Sequence, residues 1–440
     1  MRPDSGGNAE DRTSRAQFLV DEPSHGLRSH CRRVAALAVE VAGRLRLTPQ
    51  EQTLVEQAAL LHHYPVELLE GESFERLMRD LLGPGWPKRF LAESGADFPA
   101  LAIREILEAI QAPPEGPAES RVELLAEVVE VSNLFCEQIE FLPYEHKTVE
   151  QILDDLRWMA QDGFFQASTV TALGSLPRAT REELQEVIYR LPVFPTIALK
   201  TLALASSDEV SLQQLENLAR SDQVLAGNLI RVSNSSYFSP IQKIASLRQA
   251  ISYIGLESAR KVLLGAVIQP LFGSAKLHEL WKHSLASAQF CEQLARLSGS
   301  AETSGAFLAG LVHDIGRLVI RKLGGEAGSL YARMRERGCE PLFAELVLCR
   351  FEHSSAGAEV LRLWNFPEDV IEAVEQHHQP ERSSSKLASL LYLVEYWTDS
   401  EEDLPSRIRL DQAMRCTGVT MEVLDSLERS TQLLDPLIHG

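Results

Sequence analysis

Apolar side chains recur along this chain at intervals of three and four, the spacing that lines one face of an α-helix. The first clear stripe is Val34, Leu37, Ala38, Val41 and Leu45. Thr48-Pro49 opens the next helix, with Thr48 placed to cap it and Pro49 at its first position, where a missing N–H is harmless. That helix should end near His62-His63, before Pro65. Gly83–Pro87 and Ala112-Pro113-Pro114-Glu115-Gly116-Pro117 read as loops, a helical pattern fills 119–140, and two more helices precede Gly174. Ser175-Leu176-Pro177 reads as a boundary. A helix over Thr180–Tyr189 leads into the stiff segment Leu191-Pro192-Val193-Phe194-Pro195. A helical unit then runs to about residue 270, another from His278 to Trp397, and an amphipathic helix is expected over Val419–Leu434. No long stretch alternates with the strand period of two. The pattern predicts an all-α fold with two helical domains: a mobile tail at 1–23, a first domain at 24–175, a second at 180–400 and a helical extension at 401–440.

Length and charge narrow the picture. A chain of 440 residues exceeds what one hydrophobic core usually holds. Its formal net charge of -19 argues against an overall field suited to DNA, RNA or anionic membrane. The six cysteines, Cys31, Cys136, Cys291, Cys339, Cys349 and Cys416, form no CxxC pair, which suits a reducing cytosol rather than a disulfide framework. The N-terminus has no apolar signal-peptide core, and no run of about 18 apolar residues suggests a membrane span. A soluble, cytoplasmic protein is expected. Ser211 to Asn234 reads as two short helices around Ser221-Asp222, a pattern that imitates a DNA-binding helix-turn-helix. Its mixed charges, and the few base-reading residues on its second helix, favour a packed helical pair instead.

The chemistry-bearing residues gather in the second half: His283, His313 with Asp314, His353, His377 with His378, and Glu395. Each falls on the apolar side of its own helix. His283 heads the stripe Ala286, Phe290, Leu294, and Asp314 continues Phe307, Gly310, Leu311. His313 follows Ala306 and Ala309, small residues that permit close helix approach. His353 heads Gly357, Val360, Leu361, Trp364. His377 and His378 close the helix carrying Val370, Ile371 and Val374, and Glu395 follows Leu387, Ala388 and Leu391. Burying these groups without partners is costly, and a shared cation removes that cost. Imidazole and carboxylate donors without thiolate suit zinc, iron or manganese, as one ion or as two bridged by Asp314. The competing reading is a core in which these side chains hydrogen-bond one another. Helical neighbours lie about 100° apart, so His313 and Asp314 reach one ion only near a helix end. Gly316 is placed to terminate that helix.

Leu308-Ala309-Gly310-Leu311-Val312-His313-Asp314-Ile315-Gly316-Arg317-Leu318 resembles the signature of the HD superfamily, and Trp281-Lys282-His283-Ser284 resembles the segment bearing its first histidine. His353 and His377-His378 match the later histidines of dinuclear members. The family usually closes its set with Asp, where this chain has Glu395. Upstream, Leu191-Pro192 to Lys200, Ser221-Asp222, Leu229-Ile230-Arg231-Val232-Ser233-Asn234-Ser235 and Ala250-Ile251 to Gly255 resemble the HDOD pattern in order. From about Leu191 to Glu395 the chain thus resembles an HDOD domain, which implies an all-helical module of a bacterial signalling protein, mostly regulatory rather than catalytic. The HD-GYP subclass, which cleaves cyclic di-GMP, matches less well, because Gln379-Pro380-Glu381-Arg382 follows the double histidine in place of a GYP element. Related enzymes often carry Lys where Arg317 stands; an arginine can hold phosphate but does not act as a base.

The first half resembles a degenerate HD or HD-GYP domain. His30-Cys31-Arg32-Arg33-Val34 to Leu45, then Ala58-Ala59-Leu60-Leu61-His62-His63, repeat the layout, with His63 where the pair would carry Asp. Gln111-Ala112-Pro113-Pro114 replaces the double histidine, Asn133 within Val131–Phe135 stands for the closing Asp, and Phe141 to Leu173, with Pro143-Tyr144, resembles the HD-GYP tail. These losses favour a helical scaffold for contact or ligand sensing over an ion held by His30 and His62.

Three functions follow from this reading. The leading one is a regulatory protein that signals through protein partners or self-association, any metal serving structure. The second is a metal-dependent phosphohydrolase or phosphodiesterase in which the histidines and Asp314 are ligands and Arg317 holds phosphate. The third is a sensor that binds a nucleotide without cleaving it.

Overall fold

The computed structural model describes residues 25–63, 100–113, 116–145, 148–191, 200–201, 204, 210–273, 277–349, 351–398 and 407–427. Among them no strand occurs, so the fold is all-α. The chain divides into two compact units, one of 1–180 with 324–350 and one of 181–323 with 351–440. The segment 324–350 falls inside the stretch that the sequence pattern assigns to the second domain, yet it packs with the first unit.

Unit 1 begins with α1 (His25–Arg44), α2 (Pro49–Leu61), α3 (Ala100–Gln111), α4 (Arg121–Glu145), α5 (Val149–Gln161) and α6 (Ala167–Gly174). Helix α1 is central, touching α2, α4 and α6. Its expected stripe is buried at Val34, Leu37, Ala38 and Val41, while Leu45 is only half-buried. Burial extends beyond that stripe to Cys31, Ala35 and Ala42. Thr48 caps α2 as the sequence predicts, and Glu51 completes the reciprocal capping box, satisfying two orphan N–H groups. The expected loop at Gly83–Pro87 and the stiff segment 192–195 lie outside the described residues.

Unit 2 holds α7 (Arg181–Tyr189), α8 (Leu212–Arg220), α9 (Gln223–Ser233), α10 (Leu247–Ile254), α11 (Leu256–Ile268), α12 (His278–Ser298), α13 (Thr303–Val312) and α14 (Gly316–Ile320). The chain then contributes α15 (Gly325–Glu336) and α16 (Pro341–Cys349) to unit 1, where Arg33 of α1 and Glu340 form a buried ion pair at 2.9 Å. It returns as α17 (His353–Leu363), α18 (Glu368–Gln376), α19 (Lys386–Trp397), α20 (Arg407–Thr417) and α21 (Met421–Asp425). The helix pair around Ser221-Asp222 is present, with Asp222 capping α9 through Val224 N and Leu225 N. Described residues past Asp425 are not helical, so the helix expected over Val419–Leu434 is a single short one in the described part.

Two glycines set the spacing of the helices that matter below. A Cβ on Gly310 of α13 would lie 2.6 Å from Ala288 Cα, so α12 and α13 cross in backbone contact. A Cβ on Gly316 would fall on the carbonyl oxygen of His353. The sequence reading gave Gly316 the task of ending α13; instead α13 stops at Val312 with His313 as its C-cap, and Gly316 starts α14. The glycine is needed because α14 and the start of α17 touch there, not because the backbone must turn.

Candidate metal centre

Helix ends do most of the positioning. The last carbonyls of an α-helix have no intrahelical partner. His313, just past α13, turns its Nδ1 to Gly310 O at 2.8 Å, and His377, just past α18, turns its Nδ1 to Val374 O at 2.6 Å. A carbonyl can only accept, so each Nδ1 carries the proton and each Nε2 faces inward as the ligating atom. His353 enters at the first residue of α17 and His378 follows His377. His283 projects from α12 and Glu395 from the last turn of α19.

These side chains form two groups. In the first, His283 Nε2 lies 3.2 Å from His313 Nε2, 3.2 Å from Glu395 Oε1 and 3.4 Å from Asp314 Oδ2. His313 Nε2 lies 3.3 Å from Asp314 Oδ2 and 3.4 Å from Glu395 Oε1. A tetrahedron with such edges has its centre about 2 Å from each corner, the length of a zinc–nitrogen or zinc–oxygen bond. In the second group, ligand atoms of His353, His377 and His378 lie within 4.8 Å of one another, with His353 and His378 Nε2 2.9 Å apart. Asp314 joins the groups: its Oδ1 is 3.1 Å from His353 Nε2, while its Oδ2 faces His283 and His313. One carboxylate thus presents one oxygen to each group, and all seven residues singled out in the sequence converge.

The electrostatics fit a cation. Burial opposes protonation of His313, but Asp314 and Glu395 hold its pKa well above the ordinary value. Burial pushes Asp314 and Glu395 up, and their cationic neighbours, Arg317 with His313 for one and His283 with His313 for the other, carry them well below. His377 is the opposite case: burial, then the charges of His378 and His313, keep it well below. Its buried Nε2 meets no hydrogen-bond partner, and neither buried Asp314 oxygen has a bond of proper hydrogen-bond geometry. An inward lone pair on His377 and two such oxygens are what a metal would satisfy, so the residues present fit one.

Arg317 was read as a phosphate-holding residue for the enzymatic alternative. Here it is buried, and its Nε lies 2.9 Å from Asp314 Oδ1 as an ion pair within the cluster. Ser287 was missed. Its hydroxyl donates to Glu395 Oε1 at 3.3 Å, and the signal was its place one turn after His283 on the same face of α12.

Residues 191–380 match the family model of the HDOD domain. The chain carries an HDOD domain. All the site residues but Glu395 lie within the HDOD match. A protein of Treponema pallidum (strain Nichols), described as uncharacterized, is 23% identical over 253 residues, covering 53% of this chain and 49% of that one. The cyclic di-GMP phosphodiesterase CdgJ of Vibrio cholerae is 30% identical over 129 residues, covering 29% of this chain and 30% of that one. The chain therefore spans about half of the first relative and less than a third of the second. A crystal structure of an HDOD domain protein with unknown function from Geobacter sulfurreducens aligns with a TM-score of 0.49 at 21% identity, covering 58% of this chain and 95% of that one. No helix among the described residues is long and apolar enough to cross a membrane.

Proposed function

We propose that this chain is a regulatory signalling protein whose HDOD domain is held together by two divalent ions in a closed centre. Its supporting observation is ligand supply together with burial. His283, His313, Glu395 and Asp314 Oδ2 offer four donors to one position, and His353, His377, His378 and Asp314 Oδ1 offer four to the other. Four protein donors per ion leave no open place in a tetrahedral shell, the mark of structural rather than catalytic zinc-type sites. Burial agrees: His283 is 24% exposed, and the other carboxylate and imidazole side chains of the centre are 2% exposed or less. When bound, the ions supply cross-links between α12, α13, α17, α18 and α19, and the chain's own residues set their positions through helix-end carbonyls and the Asp314–Arg317 pair. The N-terminal unit, read as a degenerate HD-like module, is the partner or sensor element in this proposal.

A metal-dependent phosphohydrolase is the second reading, favoured by the partial exposure of His283, the one ligand that solvent reaches. One experiment separates the two. Bound metal is counted in wild type and Asp314→Ala, and both are assayed for hydrolysis of a phosphodiester. Metal that is lost in the variant, with no turnover by either protein, is the expected result. Turnover by the metal-loaded wild type that Asp314→Ala abolishes would replace this reading with the hydrolase.

A further inference from the structure

Unit 1 contains another convergence of imidazoles, which the HDOD centre does not use. His30 of α1 directs Nε2 to Asn133 Oδ1 on α4 at 2.8 Å, and His62, just past α2, directs Nε2 to the same oxygen at 3.1 Å. His62 Nδ1 lies 2.6 Å from Ala59 O. Asn133 Nδ2 donates to Glu137 Oε1 at 3.1 Å, which orients the amide with its oxygen toward the two histidines. Ligand atoms of His30, His62 and His63 lie within 4.8 Å of one another, and the His62 and His63 rings are 4.0 Å apart. His30 and His62 are buried.

The donor and acceptor inventory of His62 and Asn133 does not close by itself. Ala59 O can only accept, so His62 Nδ1 carries the proton and a neutral His62 presents a lone pair from Nε2. That lone pair faces the lone pairs of Asn133 Oδ1. Flipping the amide relieves this contact only by turning its oxygen onto the Glu137 carboxylate. A second proton on His62 relieves it only by burying a cation, and the carboxylate at hand, Glu137, contacts the other end of the amide. A divalent ion facing His62 Nε2 and Asn133 Oδ1 accepts both lone pairs at once.

We propose that His30, His62, His63 and Asn133 form a separate, mononuclear site for a divalent first-row ion of the zinc class, built from neutral ligands. A donor set of imidazoles and one amide, with no carboxylate among the ligands, suits zinc, nickel or copper better than magnesium or calcium. The ion count is one because His63 occupies the place after the helix-end histidine that Asp314 holds in the HDOD centre. A carboxylate shares its two oxygens between two nearby ions; an imidazole turns one nitrogen toward a cluster and the other away.

The test counts zinc by elemental analysis in the full-length wild type, His62→Ala and Asp314→Ala after loading and desalting, with circular dichroism to verify folding. His62→Ala is expected to lose about one zinc per chain relative to wild type, whatever Asp314→Ala does. Failure of the HDOD centre would show as equal zinc in wild type and Asp314→Ala, so the two ideas fail separately. Wild-type zinc content in folded His62→Ala would overturn this one. Should His62→Ala not fold, Asn133→Asp decides: a charged ligand in place of the amide should tighten zinc binding at this site by about tenfold or more in chelator competition. Unchanged affinity in that variant would overturn the proposal as well.

Discussion

The two histidine clusters share a device and differ in charge. In each, a histidine at a helix end donates Nδ1–H to the carbonyl three residues back, His313 to Gly310 and His62 to Ala59, and so turns Nε2 inward, to His283 Nε2 in one and to Asn133 Oδ1 in the other. In each, a side chain from a later helix completes the group, Glu395 in one and Asn133 in the other. The next residue separates them. Asp314 brings a negative charge and two oxygens, and a second set of imidazoles lies beyond it. His63 brings neither. The backbone thus presents imidazoles with similar geometry in two places, and in the two sites proposed above the residue after the helix-end histidine sets how many ions are held.

The comparison can be broken first at the backbone. Gly316→Ala would push a methyl group into the backbone of His353 and Gly357, so α14 and α17 must part. Overpacking of this kind costs about 3 kcal/mol. Chemical denaturation should show that loss in unit 2, and metal counting should show the His353, His377, His378 position emptied while the His30, His62, His63 cluster is unaffected.

Exchanging charge for neutrality tests the electrostatic half. Glu395→Gln gives the HDOD centre an amide where unit 1 has one. Metal affinity measured by chelator competition should fall by more than the roughly 10- to 100-fold lost when a hydrogen-bond partner of a metal ligand is removed. An unchanged affinity would mean that Glu395 is not a ligand.

The smallest effect is on pH dependence of the metal-free protein. His283 and His313 sit above the ordinary value of 6.5; burial opposes this, but Glu395 and Asp314 outweigh it. The folded state therefore binds more protons than the unfolded chain above pH 6.5, and stability falls as pH rises from there. His377 and His378 sit well below 6.5, chiefly because burial disfavours their charged forms. The unfolded chain takes up their protons as pH falls below 6.5, so stability falls in that direction too. Thermal melts of metal-stripped protein should peak near pH 6.5, the ordinary histidine value that separates the two pairs. Loading with metal should remove the peak, because the ions occupy the proton sites. A metal-free protein whose melting point climbs steadily through that range would contradict the assignment.

Much of this was legible in the chain. Helical periodicity predicted the all-α fold, and Thr48 marked a helix start because side-chain capping is a local event. The cluster was marked in the sequence by apolar stripes that lead into it; His283, His353 and Glu395 lie on helices, while His313, Asp314, His377 and His378 lie just past the ends of α13 and α18. Contacts over long separations were not. The packing of 324–350 with unit 1 depends on pairs such as Arg33 with Glu340, which no local pattern announces. Gly316 was given the wrong task for the same reason: its neighbour is His353, on another helix. The donor conflict at His62 likewise depends on Asn133 and Ala59 together, and a spacing of residues carries no information about which atom faces which.

The proposed centre turns on Asp314 being shared by two ions. Elemental analysis of metal-loaded wild type and Asp314→Ala tests it most directly. Asp314→Ala, which takes from the buried Arg317 the carboxylate it pairs with, is expected to lose both ions of the HDOD centre and about 3–5 kcal/mol of stability. Equal metal content in the two folded proteins would contradict it.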